Sequence, residues 1–312
     1  MVGRATLLED GGTAAAGPSF FRCPEFLEAE GVTHSLVVET DQARLAAPVV
    51  VETIPAGGRD AHSPYGYPGF AVRDGSVGLP IDQEQVGLGE TGLVSAFIRN
   101  RLGGEPPVSG SRPRNVCLLA DPALPPKSRM SDRQQIRKNE RRGLVTEVVP
   151  GQEVSDPRLD GFLTAYTETM ERTEAAERYF FGREYFEKLL ASPMAWLGVV
   201  EDEDGQVAAG SVAVASDDLI HYYLSGTAEA FLRESPMKNL VQALAEFAAE
   251  RDLPLNLGGG LSPGDRLEEF KRGFANREEQ WFTTELICDR QTYGDLAGGR
   301  DTGEFFPAYR AP

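Results

Sequence analysis

The stretch AWLGVVEDEDGQVAAGSVAVA, residues 195–215, decides how the second half of the chain reads. Ala195 to Glu201 and Gln206 to Ala215 are apolar and valine-rich, and the Asp202-Glu203-Asp204-Gly205 segment between them has the chemistry of a turn, which together predict an antiparallel hairpin. Working outward, periodicity predicts helices over about Asp160 to Arg172 and Arg183 to Leu190 before it. After it come a strand at Leu219 to Leu224, a helix from Pro236 to Glu250, and a strand at Pro254 to Leu257 that ends in Gly258-Gly259-Gly260. A helix from Asp265 to Lys271 and a strand from Gln280 to Ile287 follow, an α+β order of elements.

In the first half, Phe20-Phe21 is the first segment that reads as ordered, with a short helix near Pro24 to Glu30. Strands at Ser35 to Thr40 and Pro48 to Ile54 are joined through Asp41-Gln42-Ala43-Arg44. Two prolines and two glycines keep Ser63 to Phe70 out of regular helix. Leu93, Val94, Phe97, Ile98 and Leu102 recur at helical spacing, which predicts an amphipathic helix over Thr91 to Leu102, followed by a strand at Asn115 to Ala120. A basic helix then starts at Ser131 as N-cap and stops at Gly143, and Leu144 to Val149 reads as a strand. The linker-like stretch is Gly151 to Asp160, with Pro150 before it and Pro157 inside it. We therefore expect domains at 1–150 and 151–287, and a tail, 288–312, packing back on the first.

At 312 residues the chain can form two domains and bury roughly 75% of its extended surface. Hydrophobic residues at 41% and charged residues at 25% are globular values. The net charge of −17 opposes a general polyanion-binding surface, but Lys127 to Arg142 carries seven cations against two carboxylates, a local +5 in a background of −22. Cys23, Cys117 and Cys288 are odd in number and form no CxxC pair, so neither a disulfide framework nor a metal site is expected, and a reducing cytoplasm fits. Met1 to Gly17 has no apolar h-region and no 18-residue apolar run occurs, so neither a signal peptide nor a membrane span is expected.

Five segments carry more specific information: IRKNERRG (136–143), IHYYLSGT (220–227), Pro236-Met237, NLGGG (256–260) and FKRGF (270–274). In this order and spacing they resemble the Fem-like branch of the GNAT superfamily, over roughly Ser63 to Tyr293. The resemblance implies tandem GNAT-like domains, each a mixed, mostly antiparallel sheet flanked by helices. It also implies transfer of an aminoacyl group from aminoacyl-tRNA to the amine of a peptidoglycan precursor or peptide-like natural product. No resident cofactor is implied; the partners are aminoacyl-tRNA and a small peptide or nucleotide-linked peptide, and a monomer is expected.

Amine attack on an ester builds negative charge on the carbonyl oxygen, so a cation beside that oxygen lowers the barrier. Lys271 of the Phe270-Lys271 pair is the candidate, as the resemblance implies; the plainer reading is a helix-end lysine complementing the dipole, with Arg272 beside it binding substrate or doing likewise. Gly258, Gly259 and Gly260 allow a ligand to approach closely, or simply make a tight turn. Tyr222 and Tyr223 alternate across their strand, and Tyr223 is placed at the substrate; strand tyrosines are more often structural. Tyr65 and Tyr67, held by Pro64 and Pro68, line an acceptor site or pack as a turn. Arg133, Arg137 and Arg141 share one helix face with Lys138 beside it, a phosphate contact or a solvated face.

The competing function is acyl-CoA-dependent N-acylation, which needs an R/Q-x-x-G-x-G/A loop to present N–H groups to a pyrophosphate. The expected position reads Arg233-Glu234-Ser235-Pro236-Met237-Lys238, with both glycines lost, while Glu84-Gln85-Val86-Gly87-Leu88-Gly89 keeps the glycines behind a carboxylate. A third reading is a GNAT-fold binding protein without catalysis.

Overall fold

The computed structural model describes residues 3–260, 262–300 and 305–311. By compactness the chain divides into unit 1, Met1–Arg114 with Gln280–Pro312, and unit 2, Asn115–Glu279, a different division from the expected 150/151.

Unit 1 opens with β1 (Gly3–Leu8), α1 (Pro24–Ala29), β2 (His34–Glu39), β3 (Ala43–Thr53), β4 (Arg59–His62), β5 (Ala71–Gly75), β6 (Val86–Gly87) and β7 (Ser95–Arg99). β1, expected to be disordered, is a strand: its register with β2 runs from Arg4 opposite Glu39 to Leu8 opposite Ser35. The expected helix over Thr91 to Leu102 is instead β7. Ser95, Ala96 and Ile98 are fully buried, and β7 pairs parallel to β4 through Ala61–Ala96 and His62–Phe97. A short, mostly buried run has too few residues for its period to separate strand from helix, and Gly92, at φ 67°, ends the preceding turn.

The chain enters unit 2 along β8 (Arg112–Ala120), then forms α2 (Met130–Arg141), β9 (Val145–Pro150), α3 (Asp156–Arg172), α4 (Arg183–Ala191), β10 (Ala195–Glu201), β11 (Val207–Ser216), β12 (Leu219–Thr227), α5 (Met237–Ala249), β13 (Leu255–Gly258) and α6 (Arg266–Arg272). The predicted elements of this half are present, with two corrections at their ends. Ser131 lies inside α2, whose N-cap is Arg129 with no side-chain cap. The supposed linker is largely the head of α3, where Pro157 occupies the first turn, a position at which its missing N–H costs nothing. β14 (Arg277–Ile287) and α7 (Arg290–Ala297) return the chain to unit 1, where β14 pairs antiparallel with β7. In that unit the Tyr309 hydroxyl meets Ser95 Oγ at 2.7 Å and donates to Asp60 at 3.1 Å.

Each unit is thus a mixed sheet with a parallel pair among antiparallel ones, β4 with β7 in unit 1, where the short β6 also runs parallel to β1, and β12 with β13 in unit 2. Their cores are separate. Leu36, Leu45, Val49, Ile98 and Leu286 centre the first; Leu118, Ile220, Leu240, Leu244 and Leu257 centre the second. Helices are unevenly shared, with α1 and α7 in unit 1 and α2 to α6 in unit 2.

In unit 2, α3 rests on β11 and β12 while α5 packs against β9, β10 and β11. A Cβ added at Gly226 of β12 would lie 2.4 Å from the Ala165 carbonyl and 2.5 Å from Tyr166 N. Backbone meets backbone there, and neither can yield cheaply. Gly226→Ala is therefore expected to destabilise the protein by about 1–3 kcal/mol, the scale of overpacking, read as a lowered urea midpoint. An unchanged midpoint would show that α3 is not seated on β12 as described.

Candidate active site

β12 and β13 share two parallel rungs, Ile220–Leu255 and His221–Asn256. Past them the strands part. β12 continues against β11, where the register slips between Val212 and Ala213 and leaves Tyr223 unpaired in a bulge. β13 continues against β8 with its own slip between Asn256 and Gly258, then turns through Gly258 to Gly260 towards α6.

α6 is short but firmly capped. Asp265 accepts from Glu268 N at 2.7 Å and from Ser262 N at 2.9 Å, while Glu268 accepts from Gly264 N at 2.8 Å. One turn on, Lys271 points inward: it is only 8% exposed, and its Nζ donates to the Gly259 carbonyl at 2.7 Å. Burial pulls its pKa down to about 8, against weaker upward pulls from Cys117 and Asp265. A lysine that served only the helix dipole would sit in water. Its ammonium has three donors, and among the described residues Gly259 takes one, which leaves N–H groups for an anionic oxygen.

The three glycines answer to the chain's own geometry. Gly258 has φ 70°; a Cβ on Gly259 would lie 2.8 Å from the Val116 carbonyl, and one on Gly260 would lie 2.6 Å from Asp265 Oδ1. The turn that presents the Gly259 carbonyl to Lys271 requires them.

The other expected residues are distributed as follows. Phe270 packs on the unit 2 core and lies 5.6 Å from Phe274, ring to ring. Arg272 pairs with Glu268 at 2.7 Å and with Glu278, so it faces away from Lys271. Tyr222 packs on the α5 side with its hydroxyl donating to Ser225 Oγ at 2.6 Å, whereas the bulged Tyr223 puts its hydroxyl 3.4 Å from that of Tyr185 on α4. Tyr65 and Tyr67 belong to unit 1. There Arg99 stacks on Tyr65 at 5.0 Å and on Trp281 at 4.5 Å, and Tyr67 meets Trp281 edge-on at 5.8 Å, so that loop is a packed cluster.

On α2, Arg133, Arg137, Lys138 and Arg141 are exposed. Arg133 donates to the Ser128 carbonyl. Among the described residues Arg137, Lys138 and Arg141 have no carboxylate partner. The opposite face is polar too. Asn139, fully buried, donates to Asn239 Oδ1 at 2.7 Å and to the Glu234 carbonyl at 2.9 Å, and buried Asp132 pairs with Lys238 at 2.9 Å.

Sequence reasoning missed His221 and Asn256 as a pair. Asn256 Nδ2 lies 3.0 Å from His221 Nδ1, and both residues are buried. Their signal was the shared register of two strands, visible only once β12 and β13 are aligned.

Among the described residues, no group of three or more His, Cys, Asp or Glu is placed to hold a metal ion, and no helix is long and apolar enough to cross a membrane. A cavity of about 1290 Å³ lies in unit 1 between the Gly87–Gly89 turn, Glu285 and Arg290, and Lys271 does not line it.

Residues 126–272 match the acetyltransferase (GNAT) domain family. In structure the chain is similar to FemX (TM-score 0.58, 11% identity, 92% of this chain and 97% of that one). It is similar also to the C-terminal domain of a putative lysylphosphatidylglycerol synthetase from Agrobacterium fabrum (TM-score 0.54, 14% identity, 90% and 92%) and to the L-PGS structure from Bacillus licheniformis (0.54, 12%, 80% and 82%). No curated protein matches by sequence. Residues 126–272 thus carry the match to the GNAT domain family, and over most of its length the chain shares the fold of FemX.

Because burial disfavours the ammonium, Lys271 should lose its proton earlier than an exposed lysine. A ¹³Cε NMR titration is expected to show one lysine with a midpoint near 8, absent in Lys271→Met. A midpoint near that of free lysine would show a solvated side chain.

Proposed function

We propose that unit 2 transfers an aminoacyl group from aminoacyl-tRNA to the amine of a peptide or peptide-like acceptor. The observation that carries the reading is the buried Lys271 ammonium beside the parting of β12 and β13. The acceptor nitrogen attacks the ester carbonyl carbon, charge gathers on the carbonyl oxygen, and Lys271 stabilises it with its remaining N–H groups. Collapse breaks the bond to the ribose oxygen, which leaves with the proton that the amine has lost. Tyr223, at the bulge, is the neighbouring aromatic for the substrate, and the unpaired cations of α2 are the contact for tRNA phosphates.

Against acyl-CoA as donor stands the head of α5. There Glu234 N, Ser235 N, Lys238 N and Asn239 N donate to Phe231, Leu232, Ser235 and Pro236 carbonyls, and Gln135 and Asn139 from α2 take the Glu234 carbonyl. N–H groups already bonded within the turn are poor ligands for a pyrophosphate.

The test supplies purified protein with labelled aminoacyl-tRNA or labelled acetyl-CoA and follows label into hydroxylamine and peptide amines. Transfer that RNase abolishes is expected; transfer from CoA alone would refute the donor, and no transfer from either would favour a binding protein. Lys271→Ala is expected to lower turnover by about 100-fold or more without unfolding, the scale of one lost oxyanion stabiliser. Since the ammonium is the active form, wild-type turnover should fall as pH rises through about 8, and that limb should be missing from the residual activity of Lys271→Met. Charge reversal at Arg137 and Arg141 should weaken tRNA binding and reduce the slope of log affinity against log salt by about 0.7–0.9 for each phosphate no longer neutralised. An unaltered slope would remove α2 from the interface.

A further inference from the structure

We infer that His221 and Asn256 are positioning residues for Lys271, acting through a chain of hydrogen bonds that pins Gly258 N and, through the backbone, the turn that presents the Gly259 carbonyl. The inference rests on the role proposed for Lys271. Chemistry alone orients the chain. The Ser216 carbonyl can only accept, so His221 Nε2, 3.2 Å away, must carry the proton. His221 Nδ1 is then a lone-pair acceptor, which requires the Asn256 amide nitrogen to face it at 3.0 Å. Asn256 Oδ1 is thereby turned to accept from Gly258 N at 2.8 Å. From Gly258 the link is covalent: one peptide further along the turn, the Gly259 carbonyl receives Lys271 Nζ at 2.7 Å. Reversing any link sets donor against donor or acceptor against acceptor.

The place of this chain in the fold gives it its purpose. His221 and Asn256 form the last parallel rung before β12 and β13 part. Beyond that rung no inter-strand ladder joins them, and Gly258, with its left-handed φ of 70°, has little stiffness of its own. Asn256 supplies the missing constraint. Neither residue is a candidate base, because both imidazole nitrogens are engaged, the pair is almost fully buried, and burial pushes the His221 pKa down to about 4.

The titratable groups facing Lys271 are Cys117 from β8 and Asp265 from the head of α6. Neither is altered by a change at Asn256, so the Lys271 titration reports on the turn. In Asn256→Ala the loosened turn should admit water and raise the Lys271 ¹³Cε midpoint by a unit or more; an unmoved midpoint overturns the inference. In the aminoacyl-tRNA to hydroxylamine assay this variant should lose tenfold or more in kcat at unchanged KM, and should lose nothing further in the Lys271→Met background, because it acts through that lysine. A full additional loss in that background marks a merely structural role and refutes the chain. If instead Lys271→Met transfers normally while Asn256→Ala still moves the titration, positioning stands and the catalytic role of Lys271 falls.

Should Asn256→Ala not fold, His221 carries the same comparison. Glutamine offers one acceptor and one donor much as this tautomer does, so His221→Gln should keep the Lys271 midpoint near 8 and His221→Leu should raise it. Equal behaviour of the two overturns the inference. In the unaltered protein, ¹⁵N NMR should find His221 neutral with its proton on Nε2 at pH 6, and a proton on Nδ1 would refute the assigned direction.

Discussion

Burying an ammonium group is unfavourable unless protein atoms replace its water, and the fall in the Lys271 pKa to about 8 corresponds to about 3 kcal/mol of bias against the charged form. A helix surface offers no such penalty, and Arg272, one residue on, avoids it by pairing outward with Glu268 and Glu278. Much of the surrounding geometry is arranged around this one charge. The glycine turn brings a carbonyl to it, the Asp265 cap fixes the helix that carries it, and Asn115 Nδ2 holds the Gly260 carbonyl at 3.2 Å. The charged form is stabilised further when a negative oxygen arrives, which is the condition a transferring ester meets in its transition state and not before.

How much of this could be read from the sequence depends on whether the signal was local. The hairpin at residues 195–215, the helix after Pro236 and the strand entering Gly258 each carry their own pattern of period, turn and cap, and each is present. The failures have a common cause. β7 is five residues long, too short for its alternation at Phe97, Ile98 and Arg99 to outweigh the helical spacing that Leu93 and Val94, buried from a preceding turn, complete. β1 is half-polar and reads as a tail until β2 is beside it. Pro157 looks like a linker residue because proline is excluded from helix interiors, yet it is well suited to a first turn.

The candidate site divides in the same way. Lys271 could be singled out from Phe270 to Phe274, but nothing in that segment distinguishes a buried lysine from a solvated one; the Gly259 carbonyl twelve residues upstream makes the difference. Gly258 to Gly260 read equally as room for a ligand or as a tight turn, and the surroundings of each, Val116, Asp265 or a positive φ, account for a glycine by the turn. His221 and Asn256 were invisible for a different reason. A histidine with no nucleophile nearby in sequence and an asparagine in a strand are both ordinary until register places them on one rung.

The same separation of local from distant information bears on the donor. A missing glycine loop before α5 is only negative evidence in the sequence. In the folded chain the position is filled: α2 spends its buried polar residues, Asp132 and Asn139, on Lys238, Asn239 and the Glu234 carbonyl. A helix anchored by one polar face has its other face free to be charged. In a chain of net charge −17 the exposed Arg137, Lys138 and Arg141 cannot serve solubility, which the acidic residues already provide. A cluster of like charges kept without partners is costly through mutual repulsion, and an approaching polyanion relieves that cost. The contacts that occupy the head of α5 are therefore the ones that hold out a basic face, and the proposed aminoacyl-tRNA donor rests on the two together.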